Sequence, residues 1–190
     1  NSAFGGSGGG SGGGTEDFAN YPETGSSYAD GTFTGQDGST WTYKQCRGDQ
    51  NITSPSPCLG KDRTPQPYVQ SGTIAGGVGA LWFDYMKPFS TALDMDVYVN
   101  DTLVTTISGS PSGTQTYSND AVNISGDVVL TFTNSSGSGQ ITIDNVNWTA
   151  AASSVPNYVD GYSNRVVSGT SHTVTGLTSG VTYSYRLTAT

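Results

Sequence analysis

The stretch Gln140-Ile-Thr-Ile-Asp-Asn-Val-Asn-Trp148 decides the fold class. Ile141 and Ile143 alternate with Thr142, as a half-buried strand requires, but Val146 and Trp148 continue the apolar series one residue out of phase. A bulge near Asp144 and Asn145 repairs the phase and points a carboxylate where a regular strand would not. A hard, oxygen-ligated cation such as Ca²⁺ is one reason to keep an acid at such a place; a surface Asp at a strand end is the plain alternative.

Working outward, the rest of the chain repeats the strand signal. Asp94-Met-Asp-Val-Tyr-Val99 and Thr102-Leu-Val-Thr-Thr-Ile107 flank Asn100-Asp101, which predicts a hairpin with Met95, Val97 and Val99 inward. Gly31-Thr-Phe33 and Trp41-Thr-Tyr43 flank a Gly-Gln-Asp-Gly turn, with Trp41 and Tyr43 on one face. Tyr68-Val-Gln70, Val122-Asn-Ile124 and Asp127-Val-Val-Leu-Thr-Phe-Thr133 read as further strands. In Ala80-Leu-Trp-Phe-Asp-Tyr-Met86, Leu81, Phe83 and Tyr85 oppose Trp82, Asp84 and Met86, and one of these faces is core. Eight or nine short strands without a helical period predict an all-β protein built as an antiparallel two-sheet sandwich.

Composition agrees. Of 190 residues 33% are hydrophobic and 12% charged, and Tyr supplies 11 aromatic residues against six Phe and three Trp. Strands that favour Thr, Val and Tyr and turns that need Gly and Asn give this mixture, which is typical of extracellular and cell-surface β proteins. A formal net charge of −8 offers no basic stripe for phosphates and so disfavours nucleic acid, while leaving carboxylates free for Ca²⁺. No apolar run approaches the length of a membrane span, and the sequence shows no signal-peptide pattern, so that a secreted protein is expected here in a mature or trimmed form.

Residues 1–14 are almost only Gly and Ser and read as a flexible arm or linker. Residues 15–149 make the sandwich, and Ala-Ala-Ser-Ser marks the joint to residues 150–190. Cys46 and Cys58 bracket a short loop rich in Pro and Gly, which points to a disulfide and an oxidising compartment, with two free thiols as the alternative.

Two resemblances add to this reading. Glu16-Asp-Phe18 with Tyr21-Pro22, Asp37-Gly-Ser-Thr-Trp41, Leu81-Trp-Phe-Asp-Tyr85, Asp96-Val-Tyr-Val-Asn100 and Ile143-Asp-Asn-Val146 make residues 15–149 similar to the jelly-roll modules of large secreted bacterial proteins. Those modules are related to carbohydrate-binding and galactose-binding-like domains. The resemblance implies a structural Ca²⁺ shared by Glu16 and Asp144 with backbone carbonyls. Thr173-Val-Thr-Gly-Leu-Thr-Ser-Gly-Val-Thr-Tyr-Ser-Tyr-Arg-Leu187 resembles the E-to-F corner and F strand of a fibronectin type III module, with Tyr183 in the tyrosine-corner place. About 35 residues are too few for that sandwich, so the segment would need strands from elsewhere.

Catalysis finds little support. His172 is the one histidine and has no Ser or Cys constellation around it; Asp84, Asp94 and Asp96 are carboxylates by count alone. Sugar binding needs an aromatic platform with polar flanks, for which Trp82, Tyr85, Tyr68 and Phe89 are candidates with Asp84, Arg63 or Gln66 as partners. Trp41, Trp82 and Trp148 are also spaced as core residues. Arg47-Gly-Asp49 is read as a chance tripeptide, and Asn-X-Ser/Thr sites at Asn51, Asn100, Asn123, Asn134 and Asn147 would mark surface if glycosylated. Two functions of different class follow: a non-catalytic extracellular binding or adhesion module whose partner is a glycan, or a structural subunit that exchanges strands with neighbouring copies in a filament.

Overall fold

The computed structural model describes residues 13–152 except 54 and 136, and beyond them residues 161, 162, 165–180 and 183. The first compact unit runs through Ser153 and contains eleven strands among its described residues. They are β1 (Gly14–Glu16), β2 (Ala29–Thr34), β3 (Thr40–Arg47), β4 (Cys58–Leu59), β5 (Tyr68–Gln70), β6 (Leu81–Met86), β7 (Leu93–Val99), β8 (Thr102–Gly109), β9 (Thr114–Asn119), β10 (Leu130–Asn134) and β11 (Ile141–Trp148). Every pairing is antiparallel, in the order β8-β7-β10-β5-β3-β4-β11-β6-β9, with β1 on β11 and β2 on β3.

The sheet closes over itself. Phe83 of β6 and Phe132 of β10 meet edge to face with ring centroids 5.0 Å apart, although β5, β3, β4 and β11 stand between their strands. That contact requires two layers, β2-β3-β5-β10-β7-β8 and β11-β6-β9 with β1, turned at the two-residue β4. This is the antiparallel β-sandwich expected. Between the layers lie Leu81, Phe83, Met95, Val97, Val99, Leu130, Phe132, Ile141 and Ile143, all fully buried. Side chains of this size stabilise the fold by about 1.5–3 kcal/mol each when taken from water.

Local sequence explains the elements. Asn100 closes the β7–β8 hairpin with φ 52°, a conformation Asn tolerates better than most residues. The β2–β3 hairpin turns its aromatic face inward, where Phe18 meets Trp41 edge to face at 5.6 Å and Tyr21 meets Tyr43 at 5.0 Å. In β11 the register against β6 shifts between Asp144 and Asn147, and Asn145 takes φ 50°. The bulge therefore lies where the phase change in the sequence puts it. Gly14 is not part of a free arm: it pairs with Trp148, and the remaining residues of the expected arm lie outside the described ones except Gly13.

Three expectations are corrected. The segment Val122 to Ile124 contributes only a bridge, Val78 to Ile124, and the strand that borders β6 is instead β9. Trp41 and Trp148 are core, but Trp82 is half-buried on the outer face of β6. Cys46 and Cys58 form no disulfide; both are free and buried. The reason is strand parity. Cys46 pairs with Leu59 and Cys58 with Arg47, so adjacent residues of β3 and β4 send the two sulfurs to opposite faces. Cys46 belongs to the core, whereas Cys58 shares the outer face with its cross-strand partner Thr142.

The second unit is Ser154–Thr190. Among its described residues there is no strand; Tyr183 Oη accepts the Thr178 N–H at 3.0 Å, and exposed His172 lies 5.9 Å from the Tyr162 ring. The strand read from the fibronectin-like sequence lies, apart from Tyr183, outside the described residues.

Burial raises both thiols, Cys58 to about 12 and Cys46 well above its ordinary value, so neither forms thiolate near neutrality. Thiol titration of protein prepared without reductant is expected to give no reaction in the native state and two equivalents after unfolding. No thiol after unfolding would show that the cysteines pair.

Candidate functional site

The β6 strand carries two different faces because its side chains alternate. Leu81 and Phe83 go inward, and Trp82, Asp84 and Met86 go outward. Tyr85 has the inward parity and lies against Phe83 at 6.2 Å, half-buried at the rim of the core. Tyr68 is on β5 in the other layer, paired with Lys44 and Thr133. Of the four residues predicted for a ligand site, the structure therefore brings together Trp82 and Asp84 and leaves Tyr68 and Tyr85 out.

Neighbouring strands complete this outer face. Trp82 stands between Ser118 of β9 and Asn147 of β11, and Asp84 between Thr116 and Asp144. Asp84 is held in place: its carboxylate accepts Thr116 Oγ1 at 2.6 Å and Asn145 Nδ2 at 2.9 Å. Thr116 and Ser118 were not found from sequence because β9, Thr-Gln-Thr-Tyr-Ser-Asn, shows no apolar series. Its one signal is Tyr117, which packs on Phe83 at 5.0 Å.

The loop between β3 and β4 lies over β11 beside this face. Thr142 Oγ1 donates to Gln50 O, while Thr53 N and Ser56 Oγ donate to Asp144 Oδ2 at 2.8 and 2.9 Å. Thr142 and Asp144, which have an outward place on β11, are consequently fully buried beneath the loop. The result is a partly exposed aromatic ring on a flat sheet, with carboxylate, amide and hydroxyl groups on both sides.

Glu16 and Asp144, the predicted metal pair, are both fully buried. Glu16 accepts Phe18 N at 2.7 Å and Gln36 N at 2.8 Å, which ties β1 to the β2–β3 turn. Gly35 permits this approach, since a Cβ there would stand 2.5 Å from Glu16 Oε2. Asp144 also accepts Asn145 N at 2.8 Å, across its own bulge. Neither acid has a basic partner among the described residues, and desolvation raises both, Glu16 to about 7. The nearby charge of Asp17 adds to the rise in each case. Buried anionic oxygens without a countercharge fit a hard cation in chemical type. Their partners here are the chain's own N–H and O–H groups, and no three acidic, His or Cys side chains converge among the described residues.

Other sequence candidates fall elsewhere. Arg47 closes on Asp49 through Nε and Nη2, both at 2.5 Å, so the Arg-Gly-Asp tripeptide is folded on itself. Asn134 is fully buried, donating to the Gly60 and Gly139 carbonyls, and is no surface glycosylation site in the folded state. A groove of about 500 Å³ beside Ala80, Asp120 and Thr149 has no aromatic lining.

No family model matches the chain, and no curated protein matches it. Similar solved structures include a glycoside hydrolase family 43 arabinoxylan arabinofuranohydrolase from Bacillus subtilis in complex with cellotetraose. It is 10% identical with a TM-score of 0.43 over 66% of this chain, which spans only 27% of that one. The cleaved adhesin domain of Lys-gingipain from Porphyromonas gingivalis is 13% identical, with a TM-score of 0.42 over 72% of this chain and 98% of that one. A family 6 carbohydrate-binding module from Clostridium cellulolyticum in complex with xylose is 10% identical, with a TM-score of 0.39 over 72% and 96%. These are distant likenesses and assign neither ligand nor activity to this chain.

Two predictions concern the buried acids. Asp144→Ala removes the acceptor of three donors and is expected to cost about 2–4 kcal/mol, read from urea unfolding. For Glu16 the folded-state value lies above the unfolded one, so its contribution is complete below about 4.5 and is lost as pH rises through about 7. In chelator the melting temperature should fall across that window, and Glu16→Gln should flatten the fall.

Proposed function

We propose that the first unit is a non-catalytic module that binds glycan chains across the outer face of β6 and β9, as part of an extracellular protein. The observation that carries this reading is the placement of Trp82. An aromatic side chain that parity turns out of the core lies between Ser118 and Asn147, one step from an Asp84 fixed by two hydrogen bonds. A ring of this kind stacks on the C–H face of a sugar while the flanking groups bond its hydroxyls. The arrangement favours binding over hydrolysis. Asp144, the carboxylate opposite Asp84, is sealed beneath the loop between β3 and β4, so the two do not flank a common substrate position.

The structural calcium implied at Glu16 and Asp144 belongs to the same proposal. The support for it is that both acids are buried without a basic partner. When bound, calcium would supply the missing positive charge, and Glu16 and Asp144 are the residues that would hold it; each now bonds its own donors, Glu16 those of Phe18 and Gln36 and Asp144 those of Thr53, Ser56 and Asn145. Extracellular placement rests on the Thr-, Gly- and Tyr-rich composition, because the disulfide argument for it has fallen away.

Affinity electrophoresis through gels containing neutral polysaccharides tests the binding face. Retardation by at least one of them is expected, with Trp82→Ala weakening affinity about tenfold and Asp84→Asn weakening it less. Retention that is unchanged in Trp82→Ala would remove the site from this face. For calcium, a melting temperature that rises on addition of Ca²⁺ to chelated protein, and does not rise in Glu16→Gln, is the expected result.

A further inference from the structure

The geometry points to a second ligand site, for acidic sugars of the uronic acid class, at the end of the sandwich where β3 finishes and β7 begins. Four side chains from four segments form a row there in which cation and ring alternate. The Arg63 guanidinium lies over the Tyr28 ring at 3.8 Å, and Arg47 lies 5.5 Å from Tyr28 and 5.5 Å from Phe89. Tyr28 is fixed from the side by Gln140 Nε2, at 2.5 Å from its hydroxyl. Gly60 lets the loop after β4 pass close, since a Cβ there would meet Tyr28 at 2.8 Å and Arg63 at 3.0 Å.

The two arginines are not equivalent. Arg47 is mostly buried and spends its fork on Asp49, so it braces the row. Exposed Arg63 presents only its face to Tyr28. Among the described residues its N–H groups make no hydrogen bond and no ion pair, which leaves a pre-oriented planar fork that matches a carboxylate. Lys61 stands on the same loop, within 3.4 Å of Thr91 Oγ1, and Lys87 precedes Phe89 by two residues. This end therefore gathers four basic residues of a chain whose formal net charge is −8, of which Arg47 and Lys61 are paired with Asp49 and Asp62 and Arg63 is not paired among the described residues. Phe89, 39% exposed, is the one exposed aromatic of the first unit among the described residues and offers the apolar face that a pyranose ring needs. A confined patch with one free fork and one ring suits one or two acidic sugars. A nucleic acid backbone needs a continuous basic stripe, and the rest of this surface repels it.

The test is calorimetric titration of the whole chain with a tetrasaccharide of galacturonic acid and with its fully methyl-esterified form, which keeps the rings and removes the charge. Binding of the acid form alone, weakening as salt is raised, is expected. Arg63→Gln and Phe89→Ala should each lower affinity about tenfold, with melting temperatures unchanged. Trp82→Ala should leave this affinity intact, which separates the site from the face of β6. Equal binding of both forms, an Arg63→Gln variant of unchanged affinity, or no binding of the acid form would overturn the proposal. So would tighter, Arg63-dependent binding of a short single-stranded DNA.

Discussion

The register shift in β11 is the constraint on which the rest depends. β11 pairs with β6 on one side and with both β1 and β4 on the other, so every feature near the candidate face refers to its register. One extra residue at Asp144 and Asn145 lets Ile141 and Ile143 enter the core before the bulge and Val146 and Trp148 after it. A regular strand would have sent one of these pairs into water, at a cost of several kcal/mol. Asp144, outward by alternation just before the shift, accepts Thr53 N and Ser56 Oγ and so fixes the loop between β3 and β4 over Thr142.

Burial of acids follows from this closure. Glu16 and Asp144 each satisfy backbone N–H groups that would otherwise lie unpaired at the edge of the core, Glu16 from the β2–β3 turn and Asp144 from the crossing loop. Hydrogen bonds of this kind lower a carboxylate's affinity for protons, yet desolvation outweighs them in both. Both acids therefore hold a proton more readily than exposed carboxylates do, while Arg47 and Arg63 gather around Tyr28, where β3 ends.

Much of the fold was legible because alternation and phase are local. The β7–β8 hairpin, the β2–β3 hairpin and the bulge all follow from residues within a few positions of one another. What was missed depended on distance. β9 is an edge strand whose outward residues are Thr and Ser, so it carries no apolar signal, and only its contact with Phe83 reveals it. Trp82 was ambiguous because alternation in β6 gives two faces without saying which is core; Phe132 across the layers decides it. Cysteine spacing allowed a disulfide, but the register of β3 against β4, which offsets the two cysteines by one residue, forbids it.

The same distinction applies to the candidate site. Sequence located the pair Trp82 and Asp84 because they are two apart on one strand, and it could not see that Tyr68, equally aromatic, belongs to the other layer. It also could not see the row from Arg63 to Phe89, whose four members span sixty-two positions of sequence and meet only where the sandwich ends. Strand order, and not the nearness of residues in the chain, decides which polar groups accompany each exposed ring. A flat aromatic ring flanked by hydroxyls and amides on β6, and a ring flanked by guanidinium groups at the strand ends, therefore offer different partners to sugars of different charge.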